Sequence, residues 1–405
     1  MKYIDGGVCA AKGFSAAGIH CGMAPDEDKN DLALIYCDTL CAAAGMFTTN
    51  KVKAAPVQLD IETIKSGRIR AIAANSMIAN TCAPQGLENA VRMRAAAAQA
   101  LNIPENTVIV NSTGHIGPRL EIEKIEEAMP RLAKILERSP EGSDAAARGI
   151  MTTDTKKKEL ACQIEIDGRT VTIGGISKGS GMIHPRMGTM LCYVTTDCAI
   201  APAMLQMAVR SACRVSFNRI CVDGDRSTND SFVALADGLA GNREIETEGV
   251  EYETFAAALT ELCTALARRM AADGEGARHL ITCTVSGAKS EQDAEDAARA
   301  VVKSPLIKAS IFGGDPSWGR IACAMGYSGA DFDPEKAEIS YETALGSFTV
   351  CRGGAEADFD IDYARRIMDA PEVKILINFF DGSASATCWG CDLTYDYVRM
   401  NAEYE

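Results

Sequence analysis

The sequence predicts a mixed α/β protein in which strands and helices alternate along the chain. Short apolar runs, broken by glycine and asparagine, are typical of strands. Longer runs that are rich in alanine, or that place apolar residues on one face, indicate helices. With 405 residues, the chain is long enough for two or three domains or for one large layered core.

The first half of the chain combines short strands with two helices. Strands are predicted at 31–36, 70–74 and 107–110, and helices at 85–101 and 121–138. Pro130 is expected to kink or split the second helix, because proline lacks a backbone donor and clashes with the preceding turn. Residues 162–174 alternate around Asp167-Gly168, which predicts a β-hairpin.

The second half begins with a strand and continues with helices. The run Met-Leu-Cys-Tyr-Val-Thr after residue 189 predicts the strand, and Pro202 suits the start of a helix over 203–214. The clearest amphipathic helix spans 252–272, and its apolar stripe indicates core packing, not a cofactor site. That stripe consists of Phe255, Leu259, Leu262, Leu266 and Met270. Strands at 279–285 and 373–380, with a helix at 291–302, predict a β-rich, mixed C-terminal region.

The charge of the chain argues against two classes of partner. A net charge of −14 does not suit a nucleic acid or an anionic membrane, since either would need a basic face. The N-terminus has no apolar core of signal-peptide length, and no run approaches the length of a membrane span. We therefore expect a cytoplasmic protein with no membrane or nucleic-acid partner.

The 16 cysteines are scattered, which does not suggest a disulfide scaffold. The one close pair, Cys388 and Cys391, admits two interpretations: a redox or metal motif, or two strand residues. A metal site needs a second ligand pair, and the four histidines show no paired spacing. We favour two strand cysteines and expect no bound metal.

Gly188 and Thr189 are candidates for self-cleavage and covalent catalysis. They follow a Gly-rich run and precede an apolar strand. Gly188 lacks a Cβ, so the peptide bond before Thr189 is open to attack. A threonine hydroxyl becomes a good nucleophile when cleavage frees its own α-amine to act as the base. The pattern predicts a self-cleaving protein whose new N-terminus, Thr189, carries covalent catalysis.

Thr113 and Gly114 are candidates for an oxyanion hole. They follow a predicted strand, in a turn where a hydroxyl and a backbone N–H could point the same way. The alternative is a plain polar turn after a strand, which composition alone favours.

Lys178 also admits two interpretations. The run Gly174-Gly-Ile-Ser-Lys-Gly-Ser-Gly suggests a phosphate loop, but its lysine precedes Gly-Ser-Gly and a strand follows. We favour a lysine that binds a substrate carboxylate. It is expected to lie in a surface cleft, where it contributes little to folding.

Three further polar features have ordinary alternatives. The segment 223–230 resembles a calcium loop only loosely and is interpreted as a polar turn before a helix, since it lacks the final glutamate. Glu275 lies between two glycines and is either functional or a solvated turn residue. Asn401 would ordinarily be dismissed as a polar residue near the terminus.

Ordered motifs along nearly the whole chain resemble one family. These are Gly13-Phe-Ser-Ala-Ala-Gly-Ile, Ala44-Gly-Met-Phe-Thr-Thr-Asn-Lys, Asn111-Ser-Thr-Gly, Met151-Thr-Thr-Asp-Thr155, Lys178-Gly-Ser-Gly-Met-Ile, Gly188-Thr-Met-Leu, Gly224-Asp-Arg-Ser-Thr-Asn-Asp, Asp273-Gly-Glu-Gly-Ala, Asp315-Pro-Ser-Trp-Gly-Arg and Asn401-Ala-Glu-Tyr. In them the chain closely resembles the ornithine acetyltransferase family of arginine biosynthesis, also called glutamate N-acetyltransferases.

The resemblance implies a fold and a division of the chain. The fold is α/β (α+β): a four-layer αββα sandwich shared with the DmpA-type aminopeptidases, with a smaller C-terminal α/β lobe. Cleavage before Thr189 would give an α chain, 1–188, and a β chain, 189–405, assembled as an α2β2 heterotetramer. Residues 189–278 would complete the sandwich, and 279–405 would form the lobe.

The resemblance also implies a reaction. N2-acetylornithine acylates Thr189, ornithine leaves, and glutamate accepts the acetyl group in a ping-pong mechanism. The oxyanion pair maps onto Thr113 and Gly114. The substrate contacts map onto Thr155, Lys178, Thr189, Glu275 and Asn401. No metal or dissociable organic cofactor is implied, although some members also take acetyl from acetyl-CoA and so act as amino-acid N-acetyltransferases.

Two alternatives stay open at this point. The same scaffold could carry an N-terminal-nucleophile amidase or aminopeptidase, in which water resolves the acyl-enzyme. A non-catalytic binding or redox protein built around Lys178 or around the Cys388–Cys391 pair would not be cleaved before Thr189.

Overall fold

The structure is a computed structural model that describes residues 1–184 and 190–402. In chain order, its strands are β1 (Lys2–Ile4), β2 (Phe14–Ile19), β3 (Leu32–Phe47), β4 (Arg68–Asn75), β5 (Val108–Ser112), β6 (Lys158–Ile166), β7 (Arg169–Lys178), β8 (Leu191–Thr196), β9 (Ile220–Cys221), β10 (Ser231–Ala236), β11 (Leu280–Ala288), β12 (Glu338–Thr343), β13 (Gly346–Arg352), β14 (Ala355–Glu356), β15 (Glu372–Asn378) and β16 (Ala384–Cys391). Its helices are α1 (Ala55–Thr63), α2 (Gly86–Leu101), α3 (Ile122–Lys134), α4 (Pro140–Gly149), α5 (Pro202–Val215), α6 (Val250–Ala272), α7 (Glu291–Lys303), α8 (Pro305–Phe312), α9 (Trp318–Gly326), α10 (Ile361–Ile367) and α11 (Tyr395–Ala402).

The described residues form two compact units, each with its own sheet. The first unit contains residues 1–179, 190–218 and 226–270, and the second contains 180–184, 219–225 and 271–402. The predicted division of the chain at residues 188 and 189 concerns cleavage and stays a prediction.

The sheet of the first unit has the strand order β1-β6-β7-β8-β10-β3-β4-β5, with β2 also paired to β3. Strand β3 is 16 residues long, and its pairing with β4 is irregular between Tyr36 and Cys41. The first half of β3 pairs with β2, whereas its second half pairs with β10. The two halves of β3 therefore pair with different strands of the same sheet.

This sheet folds over on itself. The Tyr193 hydroxyl on β8 donates a hydrogen bond to Asn111 Oδ1 on β5 over 2.7 Å, although the two strands are four steps apart in the strand order. Neighbouring strands lie about 4.8 Å apart, so a flat sheet would separate β8 and β5 by about 19 Å. The contact requires two facing layers, which enclose a core that includes Ile72, Ile109 and Leu191.

Helices cover the two outer faces of this folded sheet. Along β4, Ile72 faces the inner core, whereas Ala71 and Ala73 pack with residues of α2 and α3 on the other side. On the opposite layer, the α6 residues Leu262 and Leu266 pack over Gly175 of β7. The result is the αββα sandwich of the predicted fold class.

The second unit is a smaller α/β lobe. Its sheet has the order β14-β13-β12-β15-β11-β16-β9. The alternating apolar residues of β15 and β12 pack in one cluster with residues of α7, α8 and α9. This lobe agrees with the mixed C-terminal region expected from the sequence.

Several local predictions are confirmed, and one is corrected. Strands β6 and β7 form the expected hairpin around Asp167 (φ 52°) and Gly168 (φ 68°), a two-residue turn that needs positive φ at both positions. The apolar stripe of α6 is fully buried. Helix α3 is not split at Pro130: it continues through the proline and ends at Lys134, before the predicted end. Among the described helices, none is long and apolar enough to cross a membrane.

Candidate active site

The Thr113–Gly114 turn follows β5 directly, as predicted. The Thr113 N–H donates to Asn75 O over 3.0 Å, and the His115 N–H donates to Met77 O over 2.9 Å. These two hydrogen bonds fix the turn on either side of Gly114. Gly114 has φ +129°, and a Cβ there would lie 2.1 Å from the Met77 carbonyl carbon. The position therefore requires glycine.

This turn offers two hydrogen-bond donors. Within residues 1–184 and 190–402, no atom accepts a hydrogen bond from the Gly114 N–H. The Thr113 hydroxyl lies one residue away, in a side chain that is buried. One backbone donor and one hydroxyl donor are the groups that an oxyanion hole needs.

Lys178, the last residue of β7, is buried and not in a surface cleft. Its ammonium donates to Thr152 Oγ1 over 2.8 Å and to Thr113 Oγ1 over 3.3 Å. Only 2% of the lysine is exposed, so the expectation that it lies in a surface cleft is wrong. Because the ammonium is the donor in its bond to Thr113, the hydroxyl hydrogen of Thr113 remains available to another acceptor.

A buried carboxylate stands between two lysines in this cluster. Asp154 Oδ1 accepts from Lys158 Nζ over 2.5 Å and from the Gly179 N–H over 2.8 Å. Burial opposes ionisation of Asp154, but the positive charges of Lys178 and Lys158 outweigh it and lower its pKa to about 2. Asp154 and Lys158 are not among the residues predicted from the sequence, although their i, i+4 spacing is that of an ion pair.

The other residues predicted before Met190 are Thr155, Gly188 and Thr189. Thr155 follows Asp154 directly and is exposed to solvent. Gly188 and Thr189, the predicted cleavage pair, lie outside the described residues. The residue that follows them, Met190, is described and is buried.

Glu275 and Asn401 form a second group, within the second unit. Glu275 is only 8% exposed, so its interpretation as a solvated turn residue is wrong. Its N–H donates to Ser180 O over 3.0 Å, and its Oε2 accepts from the Asn401 side-chain amide over 2.8 Å. Gly181 passes so close that a Cβ there would lie 2.3 Å from Glu275 Oε1. Asn401, although exposed, is thus tied to a buried carboxylate.

The segment 223–230 is a polar turn, but it precedes strand β10 and not a helix. The Asp223 carboxylate accepts from the N–H groups of Met182 (2.5 Å), Ile183 (3.0 Å) and Asp225 (3.1 Å). The carboxylate oxygens of Asp223 therefore accept from backbone donors, which indicates a structural role for this residue.

Cys388 and Cys391 both lie in β16, as favoured from the sequence, and both are buried free thiols. Burial raises the pKa of the Cys388 thiol to about 12 and that of Cys391 above its ordinary value, so both stay protonated and unreactive near neutral pH. In the part of the chain that the structure describes, no group of three potential ligands could hold a metal ion.

Comparison with known proteins gives matches over the whole chain. A family model described as the ArgJ family matches residues 15–405. The arginine biosynthesis bifunctional protein ArgJ of Caldanaerobacter subterraneus subsp. tengcongensis is 44% identical over 405 residues, which is 100% of both chains. The protein of the same name from Symbiobacterium thermophilum is 46% identical over 406 residues, again 100% of both.

A solved structure is also similar. The crystal structure of the arginine biosynthesis bifunctional protein ArgJ from Bacillus halodurans is 41% identical, with a TM-score of 0.50, and the match covers 98% of that chain and 52% of this one. The motifs along the chain agree with the two matches that cover its full length. The chain therefore belongs to the ArgJ family, whose curated members are bifunctional proteins of arginine biosynthesis.

Proposed function

We propose that this chain is a glutamate N-acetyltransferase that cleaves itself before Thr189 and then uses Thr189 as its nucleophile. It transfers acetyl from N2-acetylornithine to glutamate, and it also accepts acetyl from acetyl-CoA, in agreement with the bifunctional names of its relatives. The observation that carries the proposal is the Thr113–Gly114 turn, with one N–H unengaged within the described residues and one hydroxyl held by Lys178.

Maturation would proceed by an N-to-O acyl shift. The Thr189 hydroxyl oxygen attacks the Gly188 carbonyl carbon, the C–N bond breaks, and the hydroxyl proton moves to the departing nitrogen. Water then hydrolyses the ester, which leaves a Gly188 carboxylate and a free Thr189 amine. The freed α-amine has an ordinary pKa of about 8, low enough to act as a base near neutral pH.

Acetyl transfer would use the same threonine twice. The α-amine takes the hydroxyl proton while the oxygen attacks the acetyl carbon of N2-acetylornithine. The Thr113 hydroxyl and the Gly114 N–H stabilise the oxyanion, the C–N bond breaks, and the proton passes to the departing ornithine amine. The α-amine of glutamate then attacks acetyl-Thr189 and reverses these steps, so no external acid or base is needed.

Lys178 supports this chemistry in two ways. Its ammonium suits a substrate carboxylate, and its hydrogen bond to Thr113 Oγ1 makes the Thr113 hydroxyl a stronger donor to an oxyanion. Besides Thr189 and Lys178, the residues that we propose to contact substrate are Thr155, Glu275 and Asn401.

The extent of the match to the solved relative supports a divided chain. That protein's chain is matched over 98% of its length by only 52% of this one, close to the share that follows Gly188. We propose that the two segments, 1–188 and 189–405, stay together as an α2β2 heterotetramer.

The first experiment is the intact mass of the purified protein, followed by assays with labelled N2-acetylornithine. We expect two fragments that together account for the 43.0 kDa chain, the second beginning at Thr189. Labelled acetyl should appear on glutamate and depend on added glutamate. The variant Thr189→Ala should stay whole and inactive. Acetate release that does not depend on glutamate would instead indicate a hydrolase, and an uncut, active wild-type chain would contradict the nucleophile.

A further inference from the structure

Asp230 lies beside the residue that follows the proposed nucleophile. Strands β8 and β10 pair in parallel, with Leu191 opposite Ser231, so Met190 and Asp230 stand next to each other just before the two strands begin. The Met190 N–H donates to Asp230 Oδ1 over 3.0 Å, and the Ser231 N–H donates to Met190 O over 3.0 Å. Both polar backbone groups of Met190 are thus held by the start of β10.

The second oxygen of this carboxyl group is unusual. Asp230 is fully buried, and within the described residues its Oδ2 accepts no hydrogen bond. The neighbouring Thr48 hydroxyl donates to Ser227 O over 2.7 Å. Burial raises the pKa of Asp230 well above its ordinary value, against the opposing effects of the Met190 amide, the Thr48 hydroxyl and the Lys178 and Arg226 charges. Within the described residues, packing alone gives no reason for a buried carboxyl group at this position, which indicates a further role for Asp230.

We propose that Asp230 is a positioning residue for Thr189, and that it acts through the Met190 amide to fix the peptide unit that carries the nucleophile. The proposal rests on the proposed function of Thr189. The nitrogen of Met190 is bonded to the carbonyl carbon of Thr189, so an anchor on this N–H restrains the threonine backbone from its C-terminal side. An error of about 1 Å in the position of a reacting group can lower a rate about 100-fold.

The chain supplies a matched control at the other end of the same strand. Asp197 follows β8 directly, is also fully buried, and accepts the backbone N–H groups of Thr172 over 2.7 Å and of Lys12 over 3.4 Å. Leucine at either position removes a buried acceptor from a backbone donor and keeps a similar volume. The two variants should therefore lose similar stability, but only Asp230→Leu removes the anchor beside Thr189.

The test compares four full-length variants: Asp230→Leu, Asp230→Asn, Asp230→Glu and Asp197→Leu. Cleavage is followed by intact mass after synthesis, and kcat and KM are measured on the cut fraction, with thermal melting as the measure of folding. We expect cleavage and kcat to fall about 100-fold in Asp230→Leu, with KM within about twofold of wild type. Asp230→Asn keeps an acceptor oxygen and should stay near wild type. Asp197→Leu should melt earlier but be cut at the wild-type rate.

Asp230→Glu decides the question where Asp230→Leu does not fold. It keeps a buried carboxyl group but moves the acceptor oxygen by one methylene, so we expect slow cleavage. If Asp230→Leu or Asp230→Glu were cut and turned over like wild type, the positioning role would be overturned while the nucleophile stood. Equal cleavage defects in Asp230→Leu and Asp197→Leu would also overturn it, since stability alone would explain both. A wild-type chain that stays whole would remove the premise of both proposals.

Discussion

Asn401 donates its side-chain amide to Glu275 Oε2 over 2.8 Å, although 126 residues separate the two in the chain. The same amide also donates to Tyr397 O over 3.0 Å, within helix α11. A buried carboxylate that accepts from a side chain anchored in this way has a restricted orientation. Two residues that the sequence proposed separately as substrate contacts therefore form one group, in which Asn401 sets the direction of the Glu275 carboxylate.

Replacing Asn401 should weaken substrate binding more than it weakens folding. Asn401→Ala removes the donor to Glu275, and a hydrogen bond to a charged group contributes about 1.5–3 kcal/mol. We expect KM for N2-acetylornithine to rise about tenfold, with a smaller loss of folding stability because Asn401 is exposed and water can take the place of its amide. Arg399→Ala, at an exposed position of the same helix, is the control and should leave KM unchanged. A normal KM in Asn401→Ala would separate this pair from the substrate site.

Gly181→Ala tests the same carboxylate from its other side. A Cβ at residue 181 would lie 2.3 Å from Glu275 Oε1, so the carboxylate must move. Because the obstructing atom is the end of a flexible side chain, stability should change by less than about 1 kcal/mol, while KM rises. Gly319→Ala is the matched control, since a Cβ there meets nothing within 4 Å. If the two alanine variants had equal KM values, the orientation of Glu275 would not matter for binding.

The local structure of this chain was largely predictable from its sequence. The hairpin at Asp167-Gly168 was predictable because only a few residue pairs tolerate positive φ at both turn positions. The burial of the α6 stripe was also predictable, because apolar residues at helical spacing lie on one face of a helix and that face packs against the core. In both cases the deciding interactions lie within a few residues of each other.

The contacts that build the candidate site were not predictable in this way. Nothing near Lys178 in the sequence indicates that it is buried, since its contacts with Thr113 and Thr152 come from segments far along the chain. The pairing of β3 with β4 is irregular between Tyr36 and Cys41, and no simple residue pattern marks this irregularity. The motifs indicate the candidate residues, but the burial and the partners of those residues depend on long-range pairing.

The ion cluster of the first unit should make Asp154 important for stability. Asp154→Asn would leave the buried ammonium groups of Lys158 and Lys178 without the carboxylate between them. Breaking a buried pair by removing one partner costs about 3–5 kcal/mol. We expect a loss of that size in the free energy of unfolding, measured by urea denaturation.

A surface aspartate provides the comparison for Asp154. Asp144 also pairs with two basic residues, Arg148 and Lys157, but all three side chains are partly exposed. Because water screens such pairs, Asp144→Asn should cost less than about 1 kcal/mol. Similar losses in the free energy of unfolding of the two variants would show that burial does not make the ion pairs of Asp154 more important for stability.

The pH dependence of stability should reveal the partly buried Asp223. Burial raises its pKa to about 6, against the opposing effects of the backbone donors of Asp225, Met182 and Ile183. In the unfolded chain its pKa is about 3.9. Between these values the folded protein binds the extra proton, so the stabilisation is complete below about pH 4 and is lost as the pH rises through about 6.

The variant Asp223→Asn keeps an acceptor but does not titrate. The free energy of unfolding of wild type, relative to this variant, should therefore fall by about 2 kcal/mol between pH 4 and pH 7. Glu356→Gln, which changes an exposed carboxyl group of the same unit, serves as the control for general effects of charge. A difference between wild type and Asp223→Asn that stays constant across this range would mean that Asp223 ionises in the folded protein as it does in the unfolded chain.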